Sequence, residues 1–145
     1  MLARRELSTA QVRQRLARKG YEPDDIDDAL ARLVADRALD DARTAGAIAR
    51  TQLRLLRRGP ARVRRTIEAA GVSRELAAQA IADAYDDVDL DELLERALAS
   101  RLTPGTLVSD ERTFRRLFRY LVTQGFEPDR VLAVLRARRR ASARE

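Results

Sequence analysis

The residues of this chain that could do chemistry are carboxylates and arginines, because cysteine and histidine are both absent. That removes disulfides, thiolate metal sites and the commonest general base. Two acidic runs invite a metal or acid–base reading. Asp24, Asp25, Asp27 and Asp28 crowd together, and Asp87-Val88-Asp89-Leu90-Asp91 imitates the start of a calcium loop. The calcium pattern fails twice: Glu92 stands where its glycine is needed, and Leu98 where its bidentate acid should be. The first run lacks any water-activating partner, and it sits where a helix should begin, so its charges suit the helix dipole. No catalytic residue, metal site or cofactor is expected.

The arginines are more telling. Net charge is +6, and Lys19 is the only lysine. Arginine favours bidentate contacts with phosphate or carboxylate, although a GC-rich genome produces the same bias. Between Asp41 and Glu68 there is no acid at all, while Arg43, Arg50, Arg54, Arg57, Arg58, Arg62, Arg64 and Arg65 all fall there. On a helix, Arg43, Arg50, Arg54 and Arg57 lie within about 60° of one another, opposite Ala45, Ile48, Ala49, Gln52 and Leu56. A merely solvated helix face usually interleaves glutamates to relieve like-charge repulsion. None is present here, so the expectation is a surface for a polyanion or an acidic partner. A secondary basic surface gathers Arg112, Arg115, Arg116 and Arg119 with Arg136 to Arg140, Arg139 and Arg140 included.

The elements that must position these charges are helices. Apolar residues recur at three-to-four spacing and alternating β-branched runs are missing, so the fold class is all-α. Ser8-Thr9-Ala10-Gln11 fits a capping box, and Gly20 ends the helix it opens. Pro23 opens the next, with Ile26, Leu30, Leu33 and Val34 as its inward stripe. Leu39-Asp40-Asp41 starts a third, expected to run from Asp40 to about Arg58, or about 28 Å, before Gly59-Pro60 stops it. Further helices open at Pro60, Ser73, Asp89, Ser109 or Asp110, and Pro128; Thr103-Pro104-Gly105 is a break, and fraying is expected from Arg138 to Glu145.

Laid over one another, RQRLARKGYEPDDIDDAL, RRTIEAAGVSRELAAQAI and LFRYLVTQGFEPDRVLAVL keep helix, glycine, apolar-led turn and second helix in register. The glycines recur at about fifty residues, a repeat-protein period. Three copies of a three-helix unit follow, the last truncated: residues 1–58 with a lead-in, 59–102, and 103–145 with a linker and basic tail. Tyr21 and Phe126, alike in position, are expected to pack their turns. Stacked repeats present extended surfaces that suit binding to something long. At 45% hydrophobic and 36% charged residues, the chain is too apolar for disorder and too charged to span a bilayer. A cytosolic protein is expected, without a membrane partner.

The order LARRELS, QRLARKGY, the LDD turn, RRGPARVRRTIEAAGV and LFRYLVTQGFEPDRVLAVL resembles the RecX family, regulators of the RecA recombinase, from Leu2 to Arg138. The resemblance implies tandem three-helix repeats in an elongated, curved array and a monomer that lies in the groove of the RecA filament. It implies inhibition of strand exchange, ATP hydrolysis and coprotease activity, with no catalysis of its own. The Leu39-Asp40-Asp41 turn, Gly59, Arg62, Gly71 and Gly125-Phe126 match the family's pattern. Where the family usually places an aromatic before Ala, this chain has Thr44-Ala45, a change in either a core or a contact surface. The basic stripe would then face acidic RecA surface, DNA phosphate, or both. The alternative is a helix-turn-helix transcription factor, against which stand the acidic Asp40-Asp41 start of the third helix and the absence of asparagine.

Overall fold

A computed structural model describes residues 6–103, 106 and 108–144. The lead-in before Glu6, the Pro104-Gly105 break, Leu107 and Glu145 lie outside the described residues. Among those described there are eight α-helices and no strand: α1 (Thr9–Arg18), α2 (Pro23–Ala35), α3 (Asp41–Leu56), α4 (Pro60–Ala69), α5 (Arg74–Ala84), α6 (Leu90–Ala99), α7 (Glu111–Thr123) and α8 (Pro128–Ala143). The chain divides into two compact units, Met1–Thr51 with Arg64–Ala84, and Gln52–Val63 with Tyr85–Glu145. Both α3 and α4 therefore contribute residues to each.

The helix starts follow the side chains. Ser8 and Gln11 form the expected reciprocal cap on α1; Asp89 caps α6 through the amides of Asp91 and Glu92; Asp110 caps α7. The Thr113 hydroxyl bonded to Asp110 holds that carboxyl below its ordinary pKa. At the joints, Gly20, Gly71 and Gly125 all adopt positive φ. Each closes the same pair of bonds: in the third, Gly125 N donates to Val122 O and Phe126 N to Leu121 O.

In the first unit, Ile26, Leu30 and Leu39 form a small core with Val12, Leu16 and Leu33. Val34, expected inward, is half exposed because α2 has its buried stripe on Ile26 and Leu30. The Leu39-Asp40-Asp41 turn divides its labour. Leu39 is buried, Asp40 caps its own helix at Arg43 N (3.1 Å), and Asp41 reaches across to α1, accepting from Thr9 N (2.8 Å) and Thr9 Oγ1 (3.0 Å). Thr44 is buried beside it and donates through Oγ1 to Leu7 O at 3.2 Å. The position that departs from the family pattern is thus a core position, with a hydroxyl answering a carbonyl. Asp41→Ala strips a remote cap from α1 and leaves the Thr9 donors unanswered. It should cost roughly 1–2 kcal/mol, read as a lowered denaturant midpoint. An unchanged midpoint would mean the Asp41 contact contributes nothing.

The second unit has the larger core, with Leu94, Leu98, Leu121, Val131 and Leu135 fully buried beside Phe114, Leu117 and Phe126. Gly125 approaches the start of α4 so closely that a Cβ would lie 2.6 Å from Arg62 N and 2.6 Å from Gly59 O. Gly59 N donates to Gln124 O (2.8 Å) and Ala61 N to Gly125 O (3.2 Å). In the first unit the Gly71 joint is covered likewise by the start of α1: Ser8 Oγ bonds Ala70 O, and a Cβ on Gly71 would meet Ala10 Cβ at 2.3 Å. A Cβ on Gly20 would meet nothing within 4 Å.

That difference corrects the expectation for the two aromatics. Phe126 is 3% exposed and Tyr21 is 56% exposed, because a helix start covers one joint and not the other. Two further corrections concern helix ends. The third helix stops at Leu56, not Arg58, since Arg57 takes a left-handed φ of 50° and the Arg58 amide turns back to Gln52 O. The fraying expected from Arg138 does not occur in the described tail. Arg138 bridges Glu95 (2.9 Å), and Arg139 bridges Glu111 (3.3 Å) while its guanidinium stacks 4.0 Å over Phe114.

Candidate functional site

Within the first unit, Arg43 and Arg50 come from α3 and Arg65 from α4. Arg43 is not available as a free charge. Its Nε pairs with Glu6 at 2.7 Å, and its Nη atoms donate to Arg37 O and Ala38 O, so it clamps the turn before α3. Arg50 and Arg65 are exposed, and among the described residues neither has an acidic partner. The Arg50 guanidinium lies back against Gly46, the direction a long helical side chain takes toward the preceding turn.

In the second unit, Arg54 is the last arginine on α3, while Arg57 and Arg58 occupy the turn that follows. Helical geometry therefore does not place Arg57 on the stripe. Arg57 is exposed; Arg58 is half-buried, and its Nε is buried without a hydrogen-bond partner. The Arg58 carbonyl accepts from Tyr85 OH at 2.6 Å, and burial pushes the Tyr85 phenol up to about 12. Arg62 donates toward Thr123 O at 3.5 Å and is held by further interactions. Apolar side chains reach the surface at the same helix end: Leu55 is 75% exposed and Leu56, expected inward, is 49% exposed. The early end of α3 explains this, since its last turn outruns the buried stripe of Ala45 and Ala49.

Sequence reasoning missed what faces Arg54 and Arg57. Both line a groove with Asp87, Asp89, Glu92 and Arg96 and with the apolar Leu53, Val88 and Leu93. The acids come from the turn before α6 and its first turn, some thirty residues along the chain, and no local pattern announces the juxtaposition. Arg96 holds Glu92 at 2.8 Å; neither Arg54 nor Arg57 forms an ion pair among the described residues.

The secondary basic surface is partly spent internally. Glu111 pairs with both Arg115 (3.2 Å) and Arg139. Arg112, Arg116, Arg119 and Arg140 remain exposed. No cluster of acids that could hold a metal occurs among the described residues, and none of their helices is long and apolar enough to cross a membrane.

Comparison with known proteins gives a consistent picture. The domain described as RecX, first three-helix domain, matches residues 1–33, and the RecX second three-helix domain matches residues 40–81. A regulatory protein RecX of Halorhodospira halophila is 30% identical over 94% of this chain and 83% of its own length. The one from Syntrophotalea carbinolica is 34% identical over 87% of this chain and 83% of its own. The crystal structure of RecX from Lactobacillus salivarius has a similar fold, with a TM-score of 0.75 at 20% identity, covering 91% of this chain and 85% of that one.

Proposed function

The chain belongs to the RecX family of regulatory proteins, and from that premise we propose that it binds the RecA filament on DNA, in its groove, and inhibits it. Strand exchange, ATP hydrolysis and coprotease activity of the filament are the activities held down. The protein performs no catalysis itself and acts in the cytoplasm as a monomer. Its repeats divide at residues 58 and 102.

The observation that carries this reading is the contrast between arginines with internal partners and arginines without. Arg13, Arg43, Arg74, Arg96, Arg115, Arg130, Arg138 and Arg139 each pair with an acid. In the acid-free segment, Arg50, Arg54, Arg57, Arg64 and Arg65 are exposed and have no acidic partner among the described residues. Exposed arginines outside this segment, Arg112, Arg116, Arg119 and Arg140 among them, also lack an acidic partner among the described residues. The density of arginines in a stretch that itself contains no acid nevertheless favours an external anionic or acidic partner here. Arg58 and Arg62 flank them and are assigned to the same contact.

The helix-turn-helix alternative is disfavoured by how the start of α3 is used. A recognition helix reads bases with its first residues, yet here Asp40 caps α3, Asp41 caps α1 and Arg43 holds Glu6. RecA-dependent ATP hydrolysis on single-stranded DNA, with and without this protein, is the test. Addition of the protein should lower the hydrolysis rate in a dose-dependent way. An unaffected rate, together with sequence-selective shifts of duplex DNA in the absence of RecA, would select the transcription factor instead.

A further inference from the structure

The proposed contact leaves open whether the arginines at the end of α3 meet phosphate or protein, and the groove they line bears on that choice. Its charged lining carries Arg54 and Arg57, from the end of α3 and the turn after it, and Asp87, Asp89 and Glu92, from the start of α6, where Arg96 already pairs with Glu92 at 2.8 Å. The apolar side chains of Leu53, Val88 and Leu93 complete the lining. A phosphate backbone is uniformly negative, and its affinity comes from phosphates neutralised by unopposed cations. A chain of phosphates seated here would gain from one wall and be repelled by the other.

We infer that this groove takes a polypeptide segment of the partner filament, one that plugs an apolar side chain between an acidic residue facing Arg54 and Arg57 and a basic residue facing Asp87 and Glu92. The charge pattern of the rim argues for this occupant, since a segment of mixed charge satisfies both walls and like-charge juxtaposition rejects others. The apolar side chains in the lining, Leu53, Val88 and Leu93, offer contact that a protein segment can use and a phosphate track does not. Exposed Leu55 and Leu56 extend the apolar character along the end of α3. Asp89 is committed to capping α6 and Glu92 is held by Arg96 at 2.8 Å, so Asp87 is the acid free to select and Glu92 adds negative charge to the same wall. This assignment rests on the filament-binding reading and assigns one part of it to protein rather than DNA.

Removing the acids separates the two occupants by sign. The Asp87→Asn, Glu92→Gln double variant makes the groove more positive. On a phosphate track it should bind more tightly; in a groove for a mixed-charge segment it loses one wall. Binding of the full chain to RecA assembled on single-stranded DNA, followed by fluorescence anisotropy, should weaken by about tenfold, from roughly two exposed charge pairs. Binding to bare single-stranded DNA should not weaken. Unchanged or tighter filament binding by the double variant overturns the inference. Asp86→Asn, an exposed neighbour outside the groove lining, reports loss of negative charge alone and should leave filament binding near wild type. Because the wild-type protein is assayed alongside, failure of the groove assignment is distinct from failure of filament binding: in the latter the wild-type protein itself does not bind.

Discussion

Gly125→Ala should unfold the second unit at temperatures where Gly20→Ala leaves the first intact. Both glycines carry positive φ, 105° and 90°, so each substitution carries the left-handed penalty of about 1–2 kcal/mol. The surroundings differ. At Gly20 a new Cβ enters open space, whereas at Gly125 it would sit 2.6 Å from one backbone atom of the α4 start and 2.6 Å from another. Backbone cannot swing away as a flexible side chain can, so the joint must open. Opening it sacrifices the bonds from Gly59 N to Gln124 O and from Ala61 N to Gly125 O. Overpacking adds roughly 1–3 kcal/mol, for a total near 2–5 kcal/mol. At about 5 °C per kcal/mol for a unit of this size, the midpoint of the affected transition should fall by roughly 10–25 °C. Circular dichroism melts of the two single variants check this, and equal shifts would show that the close approach carries no weight.

The second large effect is on binding. Replacing Arg50, Arg54 and Arg57 together with Ala removes three guanidiniums that have no acidic partner among the described residues. Stability should barely change, because exposed substitutions that break no internal contact stay within about 0.5 kcal/mol each. Affinity for the filament should fall by roughly 2–3 kcal/mol in all, which is about 30- to 160-fold. The ATPase inhibition curve should move to higher protein concentration by the same factor. Filament binding and inhibition equal to wild type, with a wild-type melting curve, would remove these residues from the interface. Arg43→Ala is the internal contrast. It should cost fold stability by releasing Glu6 and the carbonyls of Arg37 and Ala38, since Arg43 is a clamp rather than a contact.

Much of the architecture was legible because its determinants are local. Capping side chains, the left-handed glycines and the helix-opening prolines act within four or five residues, so Ser8, Asp89, Gly71 and Pro128 each announced an element that the fold contains. What depended on distant chain was not legible. Tyr21 and Phe126 sit in nearly identical hexapeptides, yet their burial differs because the start of α4 covers one joint and, among the described residues, no helix start covers the other. Arg43 looked like part of a stripe because its acid, Glu6, lies 37 residues earlier. Thr44 looked like a lost aromatic until the Leu7 carbonyl came into reach. The arginine-rich segment was visible from its missing acids, but the acids that face Arg54 and Arg57 arrive from the next stretch of chain. The early end of α3 escaped notice because Arg57, not a glycine, takes the left-handed turn.

The covered joints also set a timetable for synthesis on the ribosome. The Ser8 hydroxyl waits for a carbonyl 62 residues further on, and Arg62 for one 61 residues further on. At about 5–20 residues per second, each helix start emerges several seconds before the joint that closes over it. During that interval α1 and α2 can form from local contacts, while the Gln52–Val63 segment, emitted in the middle of the first unit, belongs to a unit whose remaining residues have not yet been made. Late closure over a nascent helix start means that the second unit commits to its native packing only once residues through Gly125 have been made, not when its first helices emerge.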